Sequence, residues 1–206
     1  MFPWIRGSSL HGVYHDIIEC LTAALEARDP YSEAHSERVA DMSLDLARQI
    51  GLKGVKLEHI HMAAHLHDIG KIGVPDQILR KPGRLLPHEW AAIQRHPEIG
   101  YNILNKSRRL KPLALLVLHH HERWDGKGYP EGLKGEAIPL GSRIIALCDA
   151  IDAMTSKRPY RPAFTWHQCW EEVVVNKAIQ FDAVLVEAAE VLWPEWEKRW
   201  SQKKAG

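Results

Sequence analysis

Along most of this chain apolar residues recur three and four positions apart, and no stretch shows the residue-by-residue alternation of a half-buried strand. Val39, Met42, Leu46 and Ile50 make one such stripe; Leu57, Ile60 and Ala64 make another. The pattern predicts helices at about 13–28, 36–50, 57–69, 88–105, 111–122, 141–156, 166–179 and 182–200. Proline and glycine mark the breaks, at Asp29-Pro30, Gly51, 70–87, 125–139 and 159–162, and none of them resembles an interdomain linker. The expected architecture is all-α: a single-domain helical bundle of about eight helices over 13–200, with tails at 1–12 and 201–206. On the last helix Trp193, Trp196 and Trp200 fall at i, i+3 and i+7, a stripe read as core packing, with a homodimer face left open.

The stripes do not stay apolar. One turn back from Val39 lies His35, and one turn on from Ala64 come His67 and Asp68. Ile93, His96, Gly100 and Ile103 share a face of the fourth helix; Leu113, Leu116 and Val117 lead to His120 and His121; Ile145 leads to Asp149. Five helices therefore direct His or Asp toward one interior. Buried polar groups cost several kcal/mol unless partnered, and carboxylates cost more, so the cluster calls for a hydrogen-bond network or for cations at its centre. Five imidazoles and two carboxylates without a thiolate favour iron, manganese or another divalent ion that accepts N and O ligands. Seven ligands exceed what one catalytic ion with an open position needs and suit two ions, with Asp68 as the bridge.

Composition narrows the surroundings of this cluster. Lys+Arg 27 against Asp+Glu 26 gives a net charge of +1, which provides no field for a nucleic-acid polymer or an anionic membrane. No apolar run approaches a membrane span and the opening MFPWIRG has no secretory character, so a cytoplasmic protein is expected. Cys20, Cys148 and Cys169 show no CxxC spacing and are read as small buried apolar residues. Thirteen histidines are the outlying count. His65 should point away from the cluster and His119 is read as its neighbour, while His11, His15, His59, His61, His88 and His167 have no motif and are read as surface or packing residues.

His67-Asp68-Ile69-Gly70-Lys71 and the later run His120-His121-Glu122-Arg123-Trp124-Asp125-Gly126-Lys127-Gly128-Tyr129-Pro130 resemble the two signatures of the HD-GYP family. The resemblance continues through 27–31 with His35, through His96-Pro97 with Gly100, and through Asp149 to Arg161, covering about 13–190. It implies an HD-type helical fold and a metal-dependent phosphodiesterase acting on cyclic di-GMP. Carried over by position, the metal ligands are His35, His67, Asp68, His96, His120, His121 and Asp149, the residues that the stripes select. Asp68 and Lys71 would be catalytic, with Lys71 beside the scissile phosphate. Arg158 and Arg161 match ligand-contacting positions, although a solvated loop would also account for them. Some members hold a third metal through a carboxylate one turn before the first ligand; that place is Tyr31 here, so two ions are expected. Asp29 is near enough for a third but also suits a turn. The Gly128-Tyr129-Pro130 loop implies contact with a cyclase (GGDEF) partner, and its glycines with a pre-proline Tyr read locally as a lip near His121.

The chemistry this implies is attack by a hydroxide bridging two ions, with Lys71 stabilising the added charge and the 3′ oxygen leaving. The product would be linear pGpG, with a second step to GMP. Glu122 reads either as a carboxylate orienting a ligand His or as a helix-end surface residue. Competing readings are a hydrolase of another cyclic dinucleotide, a nucleotide monoesterase, a cyclic di-GMP-binding or cyclase-docking module with little turnover, and a metal-stabilised structural bundle.

Overall fold

A computed structural model describes residues 10–28, 34–157 and 162–203. Among them the helices are α1 (Leu10–Glu26), α2 (His35–Gln49), α3 (Val55–His65), α4 (Asp76–Leu79), α5 (Pro87–Ile93), α6 (His96–Leu104), α7 (Lys111–Leu118), α8 (Leu140–Thr155), α9 (Trp166–Val175) and α10 (Ala183–Lys203), with 3-10 turns at Ile69–Gly73 and Gly135–Ala137. The all-helical expectation holds. Asp29, Tyr31, Arg158 and Arg161 lie outside the described residues. No helix among the described residues is long and apolar enough to cross a membrane.

The predicted stripes form the core. Val39, Met42 and Leu46 of α2 pack with Ile60 and Ala64 of α3, Leu113 and Val117 of α7 and Ile145 of α8 in one buried cluster. Burial of each large side chain contributes roughly 1.5–3 kcal/mol. The Trp stripe of α10 closes one end of this core: Trp196 is buried and donates its indole N–H to Asp45 at 3.1 Å, and Trp193 packs against Trp166 and Trp170 of α9 with ring centroids 5.2 and 4.8 Å apart. Because Trp193, Trp196 and Trp200 are buried within the chain, the stripe does not present a dimer face. Cys148 and Cys169 are buried as expected, but Cys20 is exposed on α1.

Four predicted helices are shorter than the periodicity suggests: the one expected at 166–179 ends at Val175, and in the other three the excess falls on candidate site residues. The helix expected at 57–69 ends at His65, the one at 111–122 ends at Leu118, and the one at 88–105 is two helices broken between Ile93 and His96. Ile103, expected on the face of His96, is 39% exposed. The physical reason lies at the helix ends. The last carbonyls of a helix have no intrahelical donor, and a nearby imidazole can supply one. His67 donates Nδ1–H to the Ala64 carbonyl at 2.6 Å, His96 to Ile93 at 2.8 Å, and His120 to Val117 at 2.6 Å. Each ring thus caps the helix before it instead of extending it.

Candidate metal centre

These caps determine which ring nitrogen is left over. A carbonyl oxygen can only accept, so Nδ1 carries the proton in His67, His96 and His120, and Nε2 keeps a lone pair. His35, at the start of α2, is held in the same sense by a carboxylate: its Nδ1 lies 2.7 Å from Asp152 Oδ2. Asp152 is buried on α8 and is held in turn by the Arg38 guanidinium and by the Ser156 hydroxyl, at 3.3 Å. Despite a burial that would raise it, the bonds to His35 and Arg38 keep the Asp152 carboxyl below the ordinary range.

The freed nitrogens converge. His35 and His67 face each other through Nε2 at 3.2 Å, and His96 and His120 do so at 3.3 Å. Where both facing rings carry their proton on Nδ1, only lone pairs meet at these distances, a repulsion that a cation between them turns into attraction. His35, His67 and Asp149 form one group with coordinating atoms within 4.8 Å of one another; His96, His120 and His121 form a second. Asp68 faces both groups. Its Oδ1 lies 3.3 Å from His96 Nε2, while Oδ2 lies 3.5 Å from His67 Nε2 and 3.8 Å from His35 Nε2. The donor set fits metal ions, with the Asp68 carboxylate placed between the two groups. All seven residues singled out from the sequence are brought together; His119 is buried nearby but belongs to neither group.

The electrostatics agree with this fit. Burial lowers His96 to about 3 and His121 to about 4 and keeps His120 well below its ordinary value, so these rings are neutral at pH 7 and able to accept a cation. Burial would raise Asp68, but Lys71 and the imidazoles of His67, His96 and His35 hold it well below the carboxylate range. Asp149 follows the same pattern through His67, His35 and His121. Lys71 Nζ contacts Asp68 Oδ2 at 2.6 Å, from the rim of the cluster. Lys71 and Asp149, with side chains 23% and 19% exposed, and the partly buried His121 mark the open side.

Two glycines permit the approach of the parts. A Cβ on Gly70 would come within 1.8 Å of the His96 carbonyl oxygen, so a side chain there would push the 69–73 turn, with Asp68 at its start, away from α6. A Cβ on Gly128 would lie 2.5 Å from the His121 carbonyl oxygen and as close to the backbone of Glu122. The second closeness lets Tyr129 donate its N–H to that carbonyl at 3.2 Å and stack on the His121 ring at 4.8 Å, interplanar angle 29°. The lip expected from the sequence is therefore present. Glu122 takes neither of its two expected roles. It is buried, and its carboxylate accepts the N–H groups of Glu131, Gly132 and Leu133 at 2.8–3.1 Å, tying the return of the loop.

Asp152 was missed as a site residue, although it lies one turn beyond Asp149 on α8, a spacing that puts both on one face. Also unforeseen is a second histidine group: His65 does point away from the centre, but it meets His15 and His61.

Fold and site together define an all-helical domain built round a buried His/Asp cluster able to hold metal ions. The chain belongs to the HD domain family, whose profile matches residues 19–185, and the HD-GYP signatures agree with this. It is 44% identical over 170 residues to the cyclic di-GMP phosphodiesterase response regulator RpfG of Xanthomonas campestris, a match covering 82% of this chain and 45% of that protein. It is 42% identical over 183 residues to 3′3′-cGAMP-specific phosphodiesterase 2 of Vibrio cholerae, covering 88% and 35%. A cyclic di-GMP phosphodiesterase of Thermotoga maritima matches at 41% over 175 residues, covering 84% and 48%. The chain thus spans less than half the length of these relatives. Among solved structures, the cyclic GMP-AMP specific phosphodiesterase V-cGAP3 of V. cholerae shares the fold with a TM-score of 0.68 at 22% identity, over 85% of this chain and 47% of that one.

Proposed function

We propose that this chain is a metal-dependent phosphodiesterase that hydrolyses cyclic di-GMP to pGpG and onward to GMP. The observation that carries the reading is the convergence of four Nδ1-anchored imidazoles on two groups joined by the Asp68 carboxylate. In this reading His35, His67 and Asp149 would hold one ion, His96, His120 and His121 would hold the other, and Asp68, which faces both groups, would be shared. Iron or manganese suits this all-N/O set. When bound, two such ions supply Lewis acidity and a water whose pKa is lowered toward neutrality.

The chain's own residues do the rest. Asp152, by holding His35 Nδ1–H, keeps Nε2 of that ring directed inward. Lys71, on the open side, is close enough to Asp68 to leave it for a phosphate oxygen and stabilise charge gathering there. Arg158 and Arg161 are proposed to contact the second phosphate. In the net reaction a water oxygen bonds to phosphorus as the P–O3′ bond breaks, and the 3′ oxygen takes up a proton. The Gly128-Tyr129-Pro130 lip borders this open side through His121 and is the proposed contact for a cyclase partner. A cytoplasmic setting suits an intracellular nucleotide substrate.

A cyclic GMP-AMP substrate is a second reading, favoured by the 42% identity to the V. cholerae phosphodiesterase of that name. The test is anaerobic purification with metal analysis, then turnover of both cyclic dinucleotides by wild type and Asp68→Ala. About two metals per chain that depend on Asp68, and linear product, are expected, with activity on the order of 10³-fold lower in Asp68→Ala and that metal lost. Faster turnover of cyclic GMP-AMP would select the second reading. Metal without turnover of either would indicate a binding module, and a metal-free wild type would overturn the centre.

A further inference from the structure

Outside the centre, α1 and α3 bring together three imidazoles that the mechanism does not use. His61 and His65 lie at i and i+4 on α3, the spacing that puts two rings on one helix face. His15 of α1 completes the group, and the coordinating atoms of all three lie within 4.8 Å of one another. The His61 and His65 rings meet edge to face with centroids 4.8 Å apart, and His15 stacks on His61 at 5.7 Å and 24°. Among the described residues, the rings of His61 and His65 have no hydrogen-bond partner of their own. Glu19, one turn after His15, lies 3.2 Å from its Nδ1.

We propose that His15, His61 and His65 form a second transition-metal site, of the zinc class, that clasps α1 to α3. Three neutral imidazoles with one coordination position left for water are a recurrent zinc set, and no thiolate is needed. Ligand atoms on a tetrahedron with bonds of 2.0–2.1 Å are ~3.4 Å apart, so closing round an ion asks each ring to move by less than ~1 Å. His15 can make that movement because its side chain is 40% exposed, while His65 is buried and serves as the fixed post. Burial, and then the nearby His15 and Arg48, lower the His61 pKa, which keeps that ring available as a donor near neutrality. Glu19 plays the orienting part that Asp152 plays for His35: accepting Nδ1–H of His15, it leaves Nε2 for the ion. The clasp would add to the existing tie between the helices, in which Thr22 Oγ1 donates to the His65 carbonyl at 3.2 Å.

The experiment is titration of the full, metal-stripped chain with Zn²⁺, followed by melting temperature, and with Co²⁺, followed by visible absorption, on wild type, His15→Gln, a His15→Gln/His61→Gln double variant and Glu19→Gln. Wild type is expected to take up one more equivalent per chain than the double variant and to melt higher as that equivalent fills. His15→Gln alone, at a half-exposed position the fold does not depend on, should lose the same equivalent. Glu19→Gln should keep it with affinity about 10- to 100-fold weaker. Equal stoichiometry and equal melting shifts in wild type and both His variants would overturn the proposal. Because the readout is the difference between variants that retain the inner seven residues, failure of the phosphodiesterase reading would leave this outcome unchanged.

Discussion

Both histidine groups of this chain bring imidazoles within coordinating distance, yet the rings are held in different ways. In the inner centre His67, His96 and His120 each donate Nδ1–H to a carbonyl in the last turn of a helix, and His35 is held by a buried carboxylate that is itself pinned by Arg38. In the outer group His15 is half-exposed and meets a carboxylate on its own helix, while His61 and His65 rest on ring contacts. The four anchored inner rings therefore need less rearrangement to receive an ion than the outer ones, which must close on it. Preorganisation is what a reacting centre requires, since a ligand loose by an ångström loses both metal and rate. A clasp tolerates slack.

Breaking the inner arrangement at its backbone should have the largest effect. In Gly70→Ala the new Cβ would overlap the His96 carbonyl oxygen, and the atoms in the way are backbone on both sides. A destabilisation of about 3 kcal/mol is expected, with Asp68 moved off the His96 group. Urea unfolding and metal content measure the two consequences. A variant that kept wild-type stability and two metals would mean that the 69–73 turn and α6 can separate without cost. Next comes Asp152→Asn, which leaves the fold but replaces the acceptor at His35 with an amide. Metal affinity or activity should fall about 10- to 100-fold, and the stripped protein should also melt lower because the Arg38 guanidinium loses its carboxylate partner. Unchanged metal binding would show that His35 holds its orientation without Asp152.

Acid should also separate the two kinds of holding. In metal-stripped protein, His96 and His121 are depressed chiefly by burial, to about 3 and about 4. The unfolded chain takes up protons near pH 6.5 where the fold does not, so stability is lost as pH falls from about 6.5 toward 4. His35 works in the opposite direction. Burial lowers it, but the bond to Asp152 and the charges of Asp152, Asp149 and Asp68 leave it raised, and its contribution is present below pH 6.5 and lost as pH rises through the raised value. His96, His120 and His121 in the centre and His61 and His65 in the outer group are all depressed against the one raised ring of His35, so the net effect is a loss of stability as pH falls from 7 to 5. Urea melts in chelator would show it, and the slope should flatten in His96→Gln. A flat wild-type profile would contradict the burial of these rings.

Much of this was legible in the periodicity, and the failures share a cause. Extending the apolar stripes of α2, α3, α7 and α8 led directly to His35, His67, His120 and Asp149, because a ligand one turn beyond a buried stripe faces the same interior. The same extension carried the predicted helices too far, since an imidazole capping a carbonyl keeps the helical spacing while the backbone has already left the helix. Asp152 was readable one turn beyond Asp149, but a carboxylate that holds a ligand rather than the ion leaves no signature of its own. The tie from Glu122 to Glu131, Gly132 and Leu133 depends on the path of an irregular loop, and the meeting of His15 with His61 and His65 on the packing of α1 against α3. Neither has a local pattern to read.

His121 is the inner ring that most resembles the outer ones, and it offers the finest test of the contrast. Its placement comes from the stack with Tyr129, whose own position depends on the close passage of Gly128 over the Glu122 backbone. An aromatic pair of this kind contributes about 0.5–1.5 kcal/mol beyond the area it buries. Tyr129→Ala should therefore weaken metal retention and turnover by about 2- to 10-fold, less than Asp152→Asn, and leave the Nδ1 bonds of His67, His96 and His120 in place. Metal content after graded chelation, compared across the two variants, ranks them directly. If Tyr129→Ala lost more metal than Asp152→Asn, the stacked lip rather than the buried carboxylate would be the firmer support of the centre.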